Sequence, residues 1–212
     1  MATRLGLYND ALAHLGERKL VTVTDDDESR HALDLHYDRA LRYCLEQGLW
    51  NFALRTVQVD SSAALAPALG YTYAFEQPTD WIRTAQVSAD ENFTRPLDDF
   101  SEEGGNIWYA FVDPIYVQYV SDDAGYGLDI GAWPETFTEY VGCHLAVRVA
   151  KRLTAAGAAD LAELRKEEKR LRIDARAKDA MNQVAGRMPA GTWVTSRGGG
   201  ARRGPRSQTL GY

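Results

Sequence analysis

The groups in this 212-residue chain that could bind a metal, move a proton or act as a nucleophile are 30 carboxylates, four histidines and two cysteines. Chemistry needs such groups at particular spacings. His31 and His36 lie on one helical stretch, about 140° apart around its axis, so they do not share one ion. His14 and His144 stand apart from them, and each histidine reads as a surface or a satisfied core residue. Cys44 and Cys143 fall among apolar neighbours, as small core residues of a reducing compartment do. Carboxylates cluster at Asp25 to Glu28, Asp98-Asp99, Glu102-Glu103 and Asp122-Asp123. An acid–base pair needs one member held out of water so that its pKa rises. Polar loops leave both members ionised, so these clusters read as a solvated or electrostatic lining. No H-E-x-x-H, G-x-S-x-G or P-loop occurs, and Gly125-Tyr126-Gly127 lacks the strand-to-helix setting of a dinucleotide site. No catalytic residue, no metal ligand set and no cofactor is expected.

An aromatic series runs through Tyr71, Tyr73, Phe75, Trp81, Trp108, Tyr109, Phe111, Tyr116 and Tyr119. Base-stacking platforms surround such residues with lysine and arginine. Residues 55–120 hold only Arg55, Arg83 and Arg95. The aromatics therefore read as sheet core and subunit interface. Charge is unevenly spread under the net −6: residues 1–130 carry 22 acids and 9 bases, and residues 180–212 carry five arginines and no acid. A basic, glycine-rich tail on an acidic body suits an acidic partner, either nucleic acid or another subunit.

The elements that must position these groups are read from periodicity. Leu5, Tyr8, Leu12 and Leu15 mark a short helix over 2–15, ended by Gly16. Leu33, Tyr37, Ala40, Leu41, Cys44 and Leu45 mark a long helix, with Asp25, Asp26 and Asp27 at its start and Gly48 at its end. Residues 17–24 form a connector or a small strand. Trp50 and Phe52 are expected to plug the core where helix gives way to strand. Residues 55–120 alternate as four to six short antiparallel strands. Among them, 107–111 and 115–120 are expected to pair with each other around Asp113-Pro114, and 81–87 to be extended chain or a turn of helix leading into a strand. Residues 104–106 suit a hairpin turn. Pro134 takes the first position of a helix with Phe137, Val141, Leu145, Val149 and Leu153 on its apolar face. A third long helix runs over 158–184, with Leu161, Leu164, Glu168, Leu171 and Ala175 on its stripe. It should pair antiparallel with the helix before it and pack on one side only. The expected fold is α+β: an antiparallel bundle of about four helices, two of them long. Residues 1–54 give its N-terminal helices, 55–133 an inserted antiparallel β-region, 134–184 a returning helical hairpin, and 185–212 an extended C-terminal arm. No stretch approaches a membrane span, and no secretory leader is visible.

The order of these segments resembles one family. Asn9-Asp10-Ala11-Leu12, Leu15-Gly16-Glu17, Gly48-Leu49-Trp50-Asn51-Phe52, Pro78-Thr79-Asp80-Trp81-Ile82-Arg83, Ile115 to Val120 and Trp133-Pro134 follow one another as in the head-to-tail adaptors (tail tubular protein A) of tailed bacteriophages. The likeness covers roughly residues 3–180 and lies in order and spacing. It implies a structural virion protein of the phage neck, made in the host bacterial cytoplasm. Such adaptors form homo-oligomeric rings, usually of twelve copies, between the portal protein and the tail nozzle or next neck protein. Double-stranded DNA passes through without sequence-specific binding. The resemblance implies that the β-region faces the tail, with Asp98, Asp99, Glu102, Glu103 and Trp108 as candidates. It implies that the arm lies along the portal, with Arg187, Met188, Trp193, Arg197, Arg202, Arg203, Arg206, Leu210 and Tyr212 as candidates. The alternatives are a nucleic-acid-binding module that uses the basic tail, and an enzyme with an unrecognised site.

Overall fold

The computed structural model describes residues 2–104, 106–154 and 158–182. The chain divides into two units, Met1–Asn182 and Gln183–Tyr212. The second lies outside the described residues, as does the whole expected arm.

Four helices and six strands make the first unit a mixed α+β fold. Helix α1, Arg4–Leu15, starts where the Thr3 hydroxyl accepts the Gly6 N–H at 3.0 Å and stops at Gly16, whose φ of +71° suits glycine. Helix α2, Glu28–Glu46, is capped by Asp27, which accepts the Ser29 N–H at 2.8 Å. Asp25 ties the preceding loop by accepting from Val21 and Thr22, so 17–24 is a connector and not a strand. Helix α3, Glu135–Leu153, begins one residue after Pro134, whose carbonyl accepts the Phe137 and Thr138 N–H groups at 3.0 Å. Helix α4 spans Ala158–Asn182.

Helix α3 packs against α1, α2 and α4. It buries Phe137, Tyr140, Val141, Cys143, Leu145 and Val149 among others. Gly142 faces α1 so closely that a Cβ there would sit 3.1 Å from the Asp10 Cβ. Trp50 closes the end of this core. It is 1% exposed, donates its indole N–H to the Cys44 carbonyl at 3.0 Å and meets the Phe137 ring at 4.7 Å.

The strands are β1 (Leu54–Val59), β2 (Tyr73–Glu76), β3 (Trp81–Ser88), β4 (Phe100–Glu103), β5 (Ile107–Ala110) and β6 (Ile115–Ser121). They form two antiparallel three-stranded sheets, ordered β1-β6-β3 and β2-β5-β4. Ile82 and Val120 of the first sheet join the helical core. Its Ile115, Val117 and Tyr119 pack instead with Phe75, Trp108 and Ala110 of the second sheet. The first sheet therefore lies between the helices and the second sheet.

Two expectations are corrected. Strands β5 and β6 do not pair with each other. Each is the middle strand of its own sheet, and their side chains meet across the sheets. Alternation within a strand is the same for both arrangements, so the sequence pattern cannot separate them. Of the two alternatives for 81–87, the extended chain is the one observed, as strand Trp81–Ser88 with two register shifts against β6. Strand β4, Phe-Ser-Glu-Glu, reads as a polar loop in sequence, and it is a strand because it pairs with β5 from Phe100↔Ala110 to Glu103↔Ile107.

Candidate interaction surfaces

The polar groups that could do chemistry are mostly engaged in holding elements together. Asp80 accepts from Arg55 at 2.8 Å and from the hydroxyls of Tyr119 and Ser121, linking all three strands of the first sheet. Burial raises this carboxyl, but those hydrogen bonds outweigh it and hold the pKa below the usual range. Asp34 accepts from Arg4, Tyr8 and Arg30, joining α1 to α2. His144 is a satisfied core histidine. Its Nδ1 lies 2.6 Å from Glu168, its Nε2 accepts from Arg148 at 3.2 Å, and its ring stacks on Tyr43 at 4.6 Å. Both cysteines are buried, and burial pushes the Cys143 thiol up to about 12. His14 and His31 are exposed and His36 is half-buried, where burial lowers its pKa with help from Arg148, Arg152 and Arg39. Among the described residues, no three histidine, cysteine or acidic side chains converge as a metal site would require. The Gly125–Gly127 turn also has a structural role. A Cβ at Gly127 would lie 2.1 Å from the Ser121 carbonyl oxygen, and the Gly127 carbonyl accepts the Trp133 indole N–H at 2.9 Å.

The acidic candidates on the β-region divide. Asp98, Asp99, Glu102 and Glu103 are exposed on and beside β4, an edge strand of the second sheet. Their only described side-chain partners are hydroxyls: Tyr71 donates to Asp99, Thr84 to Glu102 and Tyr109 to Glu103. Trp108 does not belong with them. It is fully buried between the sheets and donates to the Thr84 hydroxyl at 3.1 Å, so it reaches no surface. Asp122 and Asp123 are structural. Asp122 pairs with Arg42 at 3.3 Å and Asp123 accepts the Gly125 N–H. The arm candidates Arg187, Met188, Trp193, Arg197, Arg202, Arg203, Arg206, Leu210 and Tyr212 lie outside the described residues.

The open surface follows α4. This helix rests on α3 through Leu164, Leu171 and Ala175, and its C-terminal turn is tied by Asp179, which accepts the Asn51 N–H at 3.1 Å. On the side of α1, a groove of about 630 Å³ is lined by His14, Leu15, Ala150, Leu161 and Leu164, with Glu163 and Glu167 among its rim residues. Further along, a second groove of about 460 Å³ lies between α4 and Thr136 and Glu139 of α3. On the side of α2, a third of about 360 Å³ is lined by Tyr43, Arg148, Lys151, Arg165 and Glu168.

No family model matches the chain, and no curated protein does. No described helix is long and apolar enough to cross a membrane.

Sequence reasoning passed over the basic residues of α4. Arg165, Lys169, Arg172 and Arg176 step by four, three and four, so they share one helix face. That spacing was visible in the letters.

Proposed function

We propose that this chain is a ring-forming structural protein of a phage neck, an adaptor between the portal of the head and the tail. The observation that carries it is the one-sided packing of α4. A 25-residue helix held on one face, with grooves along both flanks, has the form of a helix completed by a neighbouring subunit. The order of helices, β-region and returning helices agrees with the family resemblance. The fold then reads as a helical bundle carrying a β-region that projects its acidic edge, Asp98 to Glu103, towards the nozzle. The acidic body suits a channel wall that repels phosphates and lets DNA slide. The arginine- and aromatic-bearing arm is assigned to the portal. A nucleic-acid-binding module built on that arm is the second reading, and the same acidic body counts against it.

The test is the solution mass of the full chain by light scattering, alone and mixed with the portal ring of the same virus. The adaptor reading expects a monomer of 23.6 kDa, or an oligomer of it, that adds to the portal as a ring. A chain that ignores the portal but binds duplex DNA with a steep salt dependence would replace it with the second reading. Deleting residues 186–212 should leave a folded body that no longer docks. Undiminished docking would remove the arm assignment.

A further inference from the structure

Helix α4 separates two surfaces of different charge. On the α2 side, Arg165, Lys169, Arg172 and Arg176 form a stripe four cations long. Over 11 residues at about 1.5 Å each, that stripe extends about 16 Å. Arg148 and Lys151 of α3 border the same groove as Arg165. Its one carboxylate, Glu168, is engaged by His144 at 2.6 Å. Among the described residues none of these six cations has a carboxylate within ion-pair distance; Arg172 donates to the Gln47 side chain at 3.0 Å and Arg148 to His144.

On the α1 side the balance reverses. The two grooves there are lined by Glu139, Asp160, Glu163, Glu167 and Asp174 against Lys166, Arg170 and Lys178. The described ion pairs on this flank, Lys166–Glu163, Arg170–Glu167 and Arg170–Asp174, join side chains 38% to 76% exposed. Exposed pairs of this kind are worth little and can exchange partners.

We propose that neighbouring copies of this chain join through the two flanks of α4, the basic flank of one copy against the acidic flank of the next. This rests on the ring reading above and names the surfaces that would build the ring. The occupant is a second copy because one chain carries both halves of a complementary pair, on opposite sides of a single helix. A contact between unlike patches is heterologous, and its repetition builds a ring when the rotation between copies closes and an open filament when it does not. Duplex DNA on the basic flank would leave the acidic flank unmatched, and it would have to approach a chain of net charge −6. Complementary patches also fix the register of the contact and exclude its reverse, since like flanks repel.

Charge reversal tests this on the full chain. One variant carries Lys169→Glu and Arg176→Glu, the other Glu139→Lys and Asp174→Lys. All four residues are exposed, and far-UV circular dichroism is to check that each variant is folded. Assembly is followed by sedimentation velocity, free and with the portal ring, at low and high salt. The wild type should assemble at low salt and lose at least tenfold in apparent affinity at high salt. Each variant alone should stay monomeric. Mixed in equal amounts they should assemble again, because every contact in an alternating array is then between opposite charges. Assembly of either variant alone at the wild-type level would overturn the inference and leave the ring reading standing. A mixture that stays monomeric would overturn it too. A wild type that assembles neither alone nor on the portal would remove both. Duplex DNA binding lost in Lys169→Glu/Arg176→Glu, with self-assembly unchanged, would assign the basic stripe to a polyanion instead.

Discussion

Helices α3 and α4 are consecutive and packed together, yet one is enclosed and the other is half open. Of the 19 residues of α3, 11 are buried, including Thr138, Gly142, Cys143 and His144. Among the described side chains of α4 only Leu171, Ala175 and Asp179 are buried, while Ile173 and Met181 stand exposed. An enclosed helix gains from contacts on three sides and can therefore carry small and polar residues in its core face. A half-open helix depends on one stripe, on high-propensity residues and on short-range ion pairs. The difference implies that α3 sets the stability of the monomer, whereas the outer surface of α4 is available for assembly.

Two truncations break or sharpen that contrast. Phe137→Ala should have the largest effect. The ring lies 4.7 Å from Trp50, 4.8 Å from Phe52 and 5.0 Å from Trp133, so its loss leaves a cavity that its neighbours cannot fill. A cost of about 3–5 kcal/mol is expected, read from the urea midpoint at constant slope. Leu171→Ala on α4 should cost about 2 kcal/mol, the low end for leucine, because the open side lets the helix settle inward. Equal costs at the two sites would show that α4 belongs to the core as fully as α3.

Much of this was legible in the letters, for identifiable reasons. Apolar stripes, Asp27 and Gly16 gave the helices and their ends, because capping and periodicity are local. Alternation gave β1, β2 and β6. Strand β4 was not legible, because Glu102 and Glu103 have little strand preference and only the pairing with β5 makes them extended. The separation of β5 from β6 was not legible either, because pairing partners are a tertiary choice. Glu168 sat on an otherwise apolar stripe, and its reason, His144, lies 24 residues away. Of the candidate surface, the acids beside β4 could be named from sequence, and Trp108 was misplaced because an aromatic strand residue looks alike on either face. The charge division of α4 was present as like-charge pairs four residues apart. It acquires meaning only once α1 and α2 are known to lie on opposite sides of that helix.

The smallest of the expected effects concerns the one buried carboxylate of α4. Asp179 is 7% exposed. Its carboxylate accepts the Asn51 N–H, its own carbonyl accepts the Asn51 side-chain amide at 2.7 Å, and among the described residues no cation pairs with it. Burial raises its pKa, and the Asn51 N–H offsets only part of that rise. An acid whose native pKa is raised holds more protons in the native state than in the unfolded chain. Its contribution to stability therefore grows as pH falls from neutrality through the raised value, and is complete below the ordinary aspartate value of about 3.9. Asp80, with a lowered native pKa, acts in the opposite sense, and the stability it lends above that ordinary value is lost as pH falls through its own. Asp179→Asn keeps an acceptor for the Asn51 N–H and removes the buried charge. It should stabilise the protein at pH 7 by less than about 1 kcal/mol, with the advantage shrinking towards pH 4. Urea midpoints of both proteins across that range measure it. A variant weaker than the wild type at pH 7 would mean that the charge strengthens the Asn51 bond by more than burial costs, and that the end of α4 is held by electrostatics.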